Sequence, residues 1–351
     1  MKLLVLGGSS FLGRHCVASA LSNGHEVTLF NRNKTNSGIF PEVERLIGDR
    51  DGKLDALLGR TWDAVIDVNG YLPRIVRDSS KLLQENVDHY LYISSGSVYD
   101  LSAPIQSIDE KSPLIATEDI NTEIFLGPAY GGLKLLCEKV VTEYFPDRST
   151  ILRPGLIAGP HDNTDRITYW VDRIARGGEV LVPVKPNDPI QFIDARDIAE
   201  FAMLMIENKI SGTFNTSGEI LTWREWLSLC QMTSGSEIKC TWVDDSKFVQ
   251  NHLGSPYRPF GTFPLLTSDI FKFNSDKASA AGMKCRPAIK TAQDILAWQG
   301  TRKMSDKECP TQNFMSLIDA GLKDLDTYWM CGITAQHEKS LLRQWHKEKG
   351  I

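Results

Sequence analysis

The first thirteen residues constrain this chain more than any other stretch. Lys2–Leu6 is an apolar run of strand character, and Gly7-Gly8-Ser9-Ser10-Phe11-Leu12-Gly13 follows it at once and opens an amphipathic segment. The spacing is G-x-x-G-x-x-G with Ser10 in the place of the middle glycine. Small residues at such a turn let the backbone approach a pyrophosphate, whose charge is favoured at the N-terminus of the helix that follows. A glycine turn alone is more often only a turn. Between an N-terminal strand and a helix, Gly7, Ser9, Ser10, Phe11, Leu12 and Gly13 read as a dinucleotide-cofactor turn.

The same alternation continues through the first half of the chain. Short apolar runs at 26–31, 43–47, 64–68, 89–94 and 149–153 are separated by helical patterns at 11–23, 74–86 and 129–144. That is the signature of β-α-β units, and right-handed crossovers make of it an α/β fold with a doubly wound parallel sheet, a Rossmann arrangement. After Pro160 the rhythm changes. Residues 168–176 and 195–207 read as helices, 190–193 and 212–216 as strands, and 183–189 as a proline-rich loop. The polar stretch 300–313 reads as a surface loop, and 317–329 and 335–347 as helices. The expected division is a dinucleotide-binding Rossmann domain over 1–160 plus about 190–217, and a smaller substrate-binding lobe over 161–189 and 218–351.

With 351 residues the chain exceeds the usual size of one domain. Its net charge is −5 with the basic residues scattered, which argues against a nucleic-acid surface. The seven cysteines include no C-x-x-C pair, so neither a zinc site nor a disulfide scaffold is expected. Asn33 and Asn215 head Asn-x-Thr and Asn-x-Ser triplets that read as chance matches. The apolar run after Met1 is too short for a signal peptide, and no later segment has the length of a membrane span; a cytoplasmic protein is the expectation.

Tyr130-Gly131-Gly132-Leu133-Lys134 carries the clearest chemistry. A phenol and an ammonium four residues apart share one helix face, so the lysine can lower the tyrosine's pKa from about 10 towards neutrality. Any helix can hold Y-x-x-x-K by chance, but here it lies downstream of the glycine turn and of Ser94-Ser95-Gly96-Ser97, which ends a strand. A hydroxyl at the carboxyl edge of a parallel sheet faces the ligand crevice, where Ser95 can polarise a substrate carbonyl and Ser97 lies close by. The second strand ends Asn31-Arg32-Asn33-Lys34, where an NAD-specific site usually places an acidic residue. Arg32 and Lys34 are either solvated loop charges or a 2′-phosphate site, and with Asn31 they favour NADP, NAD remaining possible. Asp49 and Arg50 follow the third strand, near the adenine or in plain loop. Val68 and Asn69 end the fourth, on the cofactor's edge. His161, Asp162, Asp165 and Arg166 lack a second histidine at ligand spacing, so no metal is expected. Ser97, Thr164, Arg166, Tyr169 and Trp170 are nominated as substrate contacts, although the tryptophans as a class read as core.

Taken together, these motifs resemble the short-chain dehydrogenase/reductase superfamily, in its extended, NAD-dependent epimerase/dehydratase-like branch. The likeness runs from Met1 to about Ser217 and rests on the glycine turn, Ser-Ser-Gly-Ser-Val-Tyr, Tyr-x-x-x-Lys, Arg153-Pro154-Gly155 through Gly159-Pro160, and Phe192-Ile193-Asp194-Ala195-Arg196-Asp197. The resemblance implies that Tyr130 is the acid/base, that Lys134 holds the nicotinamide ribose, and that Ser95 orients the substrate oxygen. It also implies that Pro154, Gly155 and Leu156 pass the nicotinamide carboxamide. Two departures narrow it. Dehydratases of this branch carry Thr-Asp-Glu where this chain has Ser95-Gly96-Ser97, which argues against dehydration. Epimerases usually carry an asparagine where Leu156 stands, which argues against a nucleotide-diphosphate substrate. The serine in the glycine turn also resembles atypical members, among them plant chloroplast stem-loop RNA-binding relatives.

The expectation is therefore an NADP-preferring oxidoreductase acting at a hydroxyl or carbonyl carbon of a small-molecule or sugar-like substrate. An epimerase that retains its cofactor is the alternative, and a nucleotide-sensing or RNA-binding module the second. No nucleic-acid or membrane partner is expected. The resemblance makes a homodimer plausible.

Overall fold

In the computed structural model, residues 1–102, 107–117, 120, 122–125, 129–252, 272–302 and 332–350 are described. The elements run β1 (Lys2–Leu6), α1 (Phe11–Ser22), β2 (Glu26–Asn31), β3 (Glu44–Ile47), β4 (Trp62–Asp67), α2 (Pro73–Leu83) and β5 (Val87–Ile93). They continue with α3 (Tyr130–Tyr144), β6 (Ser149–Pro154), β7 (Ile157–Ala158), α4 (Thr168–Ala175), β8 (Gly178–Val182), β9 (Pro189–Gln191), β10 (Ile193–Asp194), α5 (Ala195–Glu207) and β11 (Gly212–Thr216). The remainder comprises β12 (Ile220–Thr222), α6 (Trp223–Ser234), β13 (Ile238–Trp242), α7 (Ser246–His252), α8 (Asp276–Ala280), α9 (Ala288–Thr301) and α10 (Ala335–Lys349).

Two compact units are formed: one of 1–157, 192–218 and 271–285, the other of 158–191, 219–270 and 286–351. The first is built on a seven-stranded sheet in the order β11-β6-β5-β4-β1-β2-β3, every pairing parallel. Strand order reverses between β1 and β4, where Leu6 lies opposite both Phe30 and Asp67. An open parallel sheet binds ligands at this switch point, outside the carboxyl ends of its strands.

The period of two along each strand divides the core between the two faces. On one face Leu3, Val5, Leu29, Ala64, Ile66 and Leu91 pack with α1 and α5; on the other Leu4, Leu6, Phe30, Val65, Tyr90 and Tyr92 pack with α2 and α3. Each of these strand residues is at most 1% exposed. Burial of a large aliphatic or aromatic side chain is worth about 1.5–3 kcal/mol, so the two layers supply most of the drive for this unit.

In the second unit α4, α6 and α9 pack together, β8 pairs in parallel with β13, and β9 pairs antiparallel with β12. Thr222 opens α6 with a complete capping box: its side chain accepts from the Glu225 N–H while the Glu225 carboxylate accepts from the Thr222 N–H. Arg173 of α4 and Glu338 of α10 make a buried ion pair at 2.5 Å. The run 190–193 expected as one strand is interrupted at Phe192. The segment 317–329 and most of 300–313 lie outside the described residues, and α9 already extends to Thr301. No described helix is long and apolar enough to cross a membrane.

Candidate active site

The glycine turn is shaped by close contacts rather than by loop freedom. Gly7 and Gly8 have φ of +112° and +87°, and a Cβ on Gly8 would lie 2.6 Å from Leu29 Cδ2. A Cβ on Gly13 would lie 2.9 Å from the Gly8 nitrogen, so α1 can seat against the turn only with glycine there. Ser10 is the N-cap of α1 in extended conformation, its side chain making no cap bond, and the first turn contains no acidic residue. Phe11 and Leu12 begin the helix, with Leu12 buried. The helix end thus keeps its affinity for an anion, and the cradle fits a dinucleotide pyrophosphate.

Asn31 braces this turn. Its Nδ2 donates to the Gly7 carbonyl at 3.0 Å and its Oδ1 accepts from the Asn33 N–H at 2.9 Å, so both ends of the amide are engaged by the chain itself. Asn36 Nδ2 donates to the Ser9 carbonyl at 2.9 Å. Arg32 is half-buried and Lys34 exposed just beyond β2. Asp49 Oδ1 accepts from the Asp51 N–H at 3.1 Å.

Arg50 corrects the sequence reading. It is 7% exposed and turned inward, donating to both carboxylate oxygens of Asp67 at 2.7 and 2.8 Å and to Ser79 Oγ at 2.8 Å. Asp67 also accepts from the Tyr90 hydroxyl at 2.8 Å and from the Asn69 N–H at 3.1 Å. Arg50 therefore neutralises a buried carboxylate at the end of β4, and a loop-like Gly48-Asp49-Arg50 gives no local sign of it. Val68 is half-buried and Asn69 exposed at the same strand end.

Ser95, Tyr130 and Lys134 belong to the carboxyl edge of β5 and the start of α3. Ser95 Oγ accepts from the Ser97 N–H at 3.1 Å, capping the 3₁₀ turn Gly96–Val98, which leaves its O–H as a donor. Ser97 is exposed. Tyr130 is the first residue of α3, half-buried, its ring 6.5 Å from that of Tyr71. One turn on, Lys134 is 3% exposed, and its Nζ donates to the carbonyls of Gly70 and Ile93, both at 2.7 Å. Burial is the main influence on this ammonium and lowers its pKa to about 8, with Cys137, Asp67 and Glu138 opposing the fall. Lys134 is thus held in fixed geometry.

The start of α3 sits tightly against the strand end: a Cβ on Gly131 would collide with the Ser97 carbonyl. Gly131→Ala is accordingly expected to cost about 1–3 kcal/mol by overpacking, read as a lower urea midpoint at unchanged m-value.

A buried polar chain behind these residues carried no signal the sequence reading used. Ser94 donates to Glu138, which accepts both guanidinium arms of Arg153 at 3.0 and 2.7 Å. Arg153 also donates to the Tyr99 hydroxyl at 3.0 Å, and Tyr99 donates to Asn215 Oδ1 at 2.6 Å. Glu138 stands one helical turn beyond Lys134 on an otherwise apolar face; that lone acid was the available clue. Asn215, head of one Asn-x-Ser triplet, is fully buried here. Beyond Arg153, Pro154 is buried at the end of β6, the Gly155 N–H donates to the Thr216 carbonyl at 3.0 Å, and the Leu156 carbonyl accepts from Ile193 at 2.9 Å.

Of the nominated substrate contacts, Ser97 lies in the first unit and Thr164, Arg166, Tyr169 and Trp170 in the second. Asp162 accepts from the Thr164 N–H and hydroxyl at 2.8 and 2.7 Å, and Arg166 Nε donates to Thr164 Oγ1 at 3.1 Å. Tyr169 and Trp170 are core residues, 7% and 1% exposed, and Trp170 packs edge-on against Trp223 with centroids 4.9 Å apart. The reading of the tryptophans as core describes Trp170 better than its nomination as a contact. No group of three or more metal-ligating side chains occurs among the described residues.

The chain is similar to curated proteins over part of their lengths. It is 26% identical over 241 residues to the chloroplast stem-loop binding protein of 41 kDa b of Arabidopsis thaliana, covering 62% of this chain and 59% of that protein. It is 26% identical over 196 residues to the UDP-glucose 4-epimerase of Erwinia amylovora, covering 46% of this chain and 55% of that enzyme. The chain thus spans little more than half the length of either relative. Among solved structures, the UDP-glucose 4-epimerase of Thermus thermophilus in complex with NAD shares the fold with a TM-score of 0.61 and 17% identity, over 86% of this chain and all of that one. Residues 60–216, from β4 to the end of β11, match the NAD dependent epimerase/dehydratase family.

Proposed function

We propose that this protein is an NAD(P)-dependent oxidoreductase of the short-chain dehydrogenase/reductase type, acting at a hydroxyl or carbonyl carbon of a small-molecule or sugar-like substrate. The observation that carries this reading is Lys134, buried and fixed by two carbonyls one helical turn from Tyr130. A bound nicotinamide cofactor supplies or accepts the hydride. Gly7, Ser9, Ser10, Phe11, Leu12 and Gly13 hold its pyrophosphate, Val68 and Asn69 line it, and Pro154, Gly155 and Leu156 meet its carboxamide. Ser95 donates its O–H to the substrate oxygen, and Tyr130 gives or takes the proton at that same oxygen. Lys134 stabilises the tyrosinate electrostatically and directs its remaining N–H to the cofactor ribose.

Arg32 and Lys34, with no acidic residue at the end of β2, favour NADP over NAD. Titration with each reduced nucleotide, followed by fluorescence, tests the site. Arg32→Ala should weaken NADPH binding about tenfold or more and leave NADH unaffected, as expected for loss of a charge-assisted contact. Failure of both nucleotides to bind the wild-type protein would remove the proposal.

An epimerase is the second reading, favoured by the similarity to the Erwinia UDP-glucose 4-epimerase. It uses the same proton chemistry but retains its cofactor, so no free NADPH or NADP accumulates during turnover.

A further inference from the structure

The ammonium of Lys134 is buried, and among the described residues no carboxylate is bonded to it. Asp67 is taken up by Arg50, and Glu138 by Arg153. What Nζ does meet, besides two carbonyls, is a pair of aromatic faces: the Tyr92 ring at 4.3 Å and the Tyr71 ring at 5.2 Å from Nζ to centroid. Both lie within the distance at which the negative face of a ring attracts a cation, and the attraction grows when the pair is withdrawn from water.

The two rings differ in how they are held. Tyr92 is fully buried in the sheet and its hydroxyl donates to the Gly70 carbonyl at 2.7 Å, the same oxygen that accepts from Lys134. Tyr71 is half-buried and follows Gly70 directly. It stacks on Phe125 with centroids 5.0 Å apart at 25°, and lies at 41° to the Tyr130 ring.

We propose that Tyr71 is a positioning residue which, with Tyr92, cages the Lys134 ammonium and keeps it charged beside Tyr130. The importance of that charge rests on the reading of Tyr130 and Lys134 as the acid/base couple. The cage itself does not. The groups facing Lys134 are Asp67 of β4, Arg50 before it, Tyr92 of β5, Tyr71 after β4, and Tyr130, Cys137 and Glu138 of α3. Burial opposes protonation, Cys137, Asp67 and Glu138 support it, and the two ring faces stand beside the ammonium as a further source of support.

The test is the titration of Lys134 in the full chain, labelled with ¹³Cε-lysine, without substrate or nucleotide. The resonance missing from Lys134→Arg identifies the group. Tyr71→Leu should lower its midpoint by about one pKa unit, a tenfold change in the protonation equilibrium, whereas Tyr71→Phe should leave it nearly unchanged. Phenylalanine carrying one, two or three ring fluorines at position 71 keeps the shape while draining the ring's negative face, and the midpoint should fall stepwise along that series. A midpoint indifferent to fluorination would overturn the proposal, even if Tyr71→Leu failed to fold. Since nothing is turned over, loss of the oxidoreductase reading would leave this result standing, and the reverse holds too.

Discussion

Tyr130→Phe is expected to reduce turnover by about 10²- to 10⁴-fold while leaving nucleotide affinity within about twofold of the parent. The substitution removes one oxygen and keeps the ring that packs against Tyr71, so the packing at the start of α3 persists. Proton transfer at the substrate oxygen is what disappears. Equal losses in kcat and kcat/KM would identify an interaction made only in the transition state, whereas a rise in KM alone would assign Tyr130 to binding. The pH dependence follows from Lys134, whose pKa is lowered to about 8 by burial. Below pH 8 the cation beside the phenol is present; as pH rises through 8 it is lost, and nucleotide affinity should fall with it. An affinity that is flat from pH 7 to 9.5 would show that Lys134 does not reach the cofactor.

The largest effect on stability is expected from Arg153→Met, at about 3–5 kcal/mol. The reason is the partner left behind. Glu138 and Arg153 are each 6% exposed at the side chain, so removing the guanidinium leaves a buried carboxylate without its ion-pair partner. Replacing both members, as in Glu138→Leu with Arg153→Met, should recover a large part of the loss, because a buried pair exchanged for apolar volume is often close to neutral. Recovery will be incomplete, since Ser94 and Tyr99 each lose a hydrogen-bond partner. Urea unfolding of the two single variants and the double variant measures the coupling. A single-variant loss under about 1 kcal/mol would mean that the chain relaxes to admit water.

The sequence made visible what is local. Six of the seven strands of the first sheet announce themselves by a short apolar run, β11 (Gly-Thr-Phe-Asn-Thr) being the exception, and the glycine turn is fixed largely by contacts within its own helix and with the adjacent strands. Tyr130 and Lys134 are separated by one helical turn, so their shared face could be read directly. Arg50 shows where locality fails. Its partners, Asp67 and Ser79, lie 17 and 29 residues away, and nothing near Arg50 marks it as an interior residue. Glu138, Arg153, Tyr99 and Asn215 meet only after separate strands and helices have assembled, and Tyr99 and Asn215 are 116 residues apart. The second unit was hard to read for the same reason. Its strands β9 and β12 have three residues each, too few to show a period, and each depends on the other for its definition.

The parallel sheet also gives the first unit two chemically unlike ends. The turns that carry the candidate site open at the carboxyl edge, whereas the amino edge of β5 carries the exposed Asp88, ion-paired with Lys209 at 3.1 Å. From Asp88 to Ser95 the chain is nearly one strand long, roughly 20 Å at about 3.3 Å per residue. That separation suits energy transfer. With Cys240, Cys285, Cys309 and Cys331 replaced by serine, a dye on Asp88→Cys would sit within transfer range of a reduced nicotinamide at the candidate site while standing clear of that site. Binding of the proposed cofactor could then be followed optically in single molecules, from an anchor at the sheet edge opposite the candidate site.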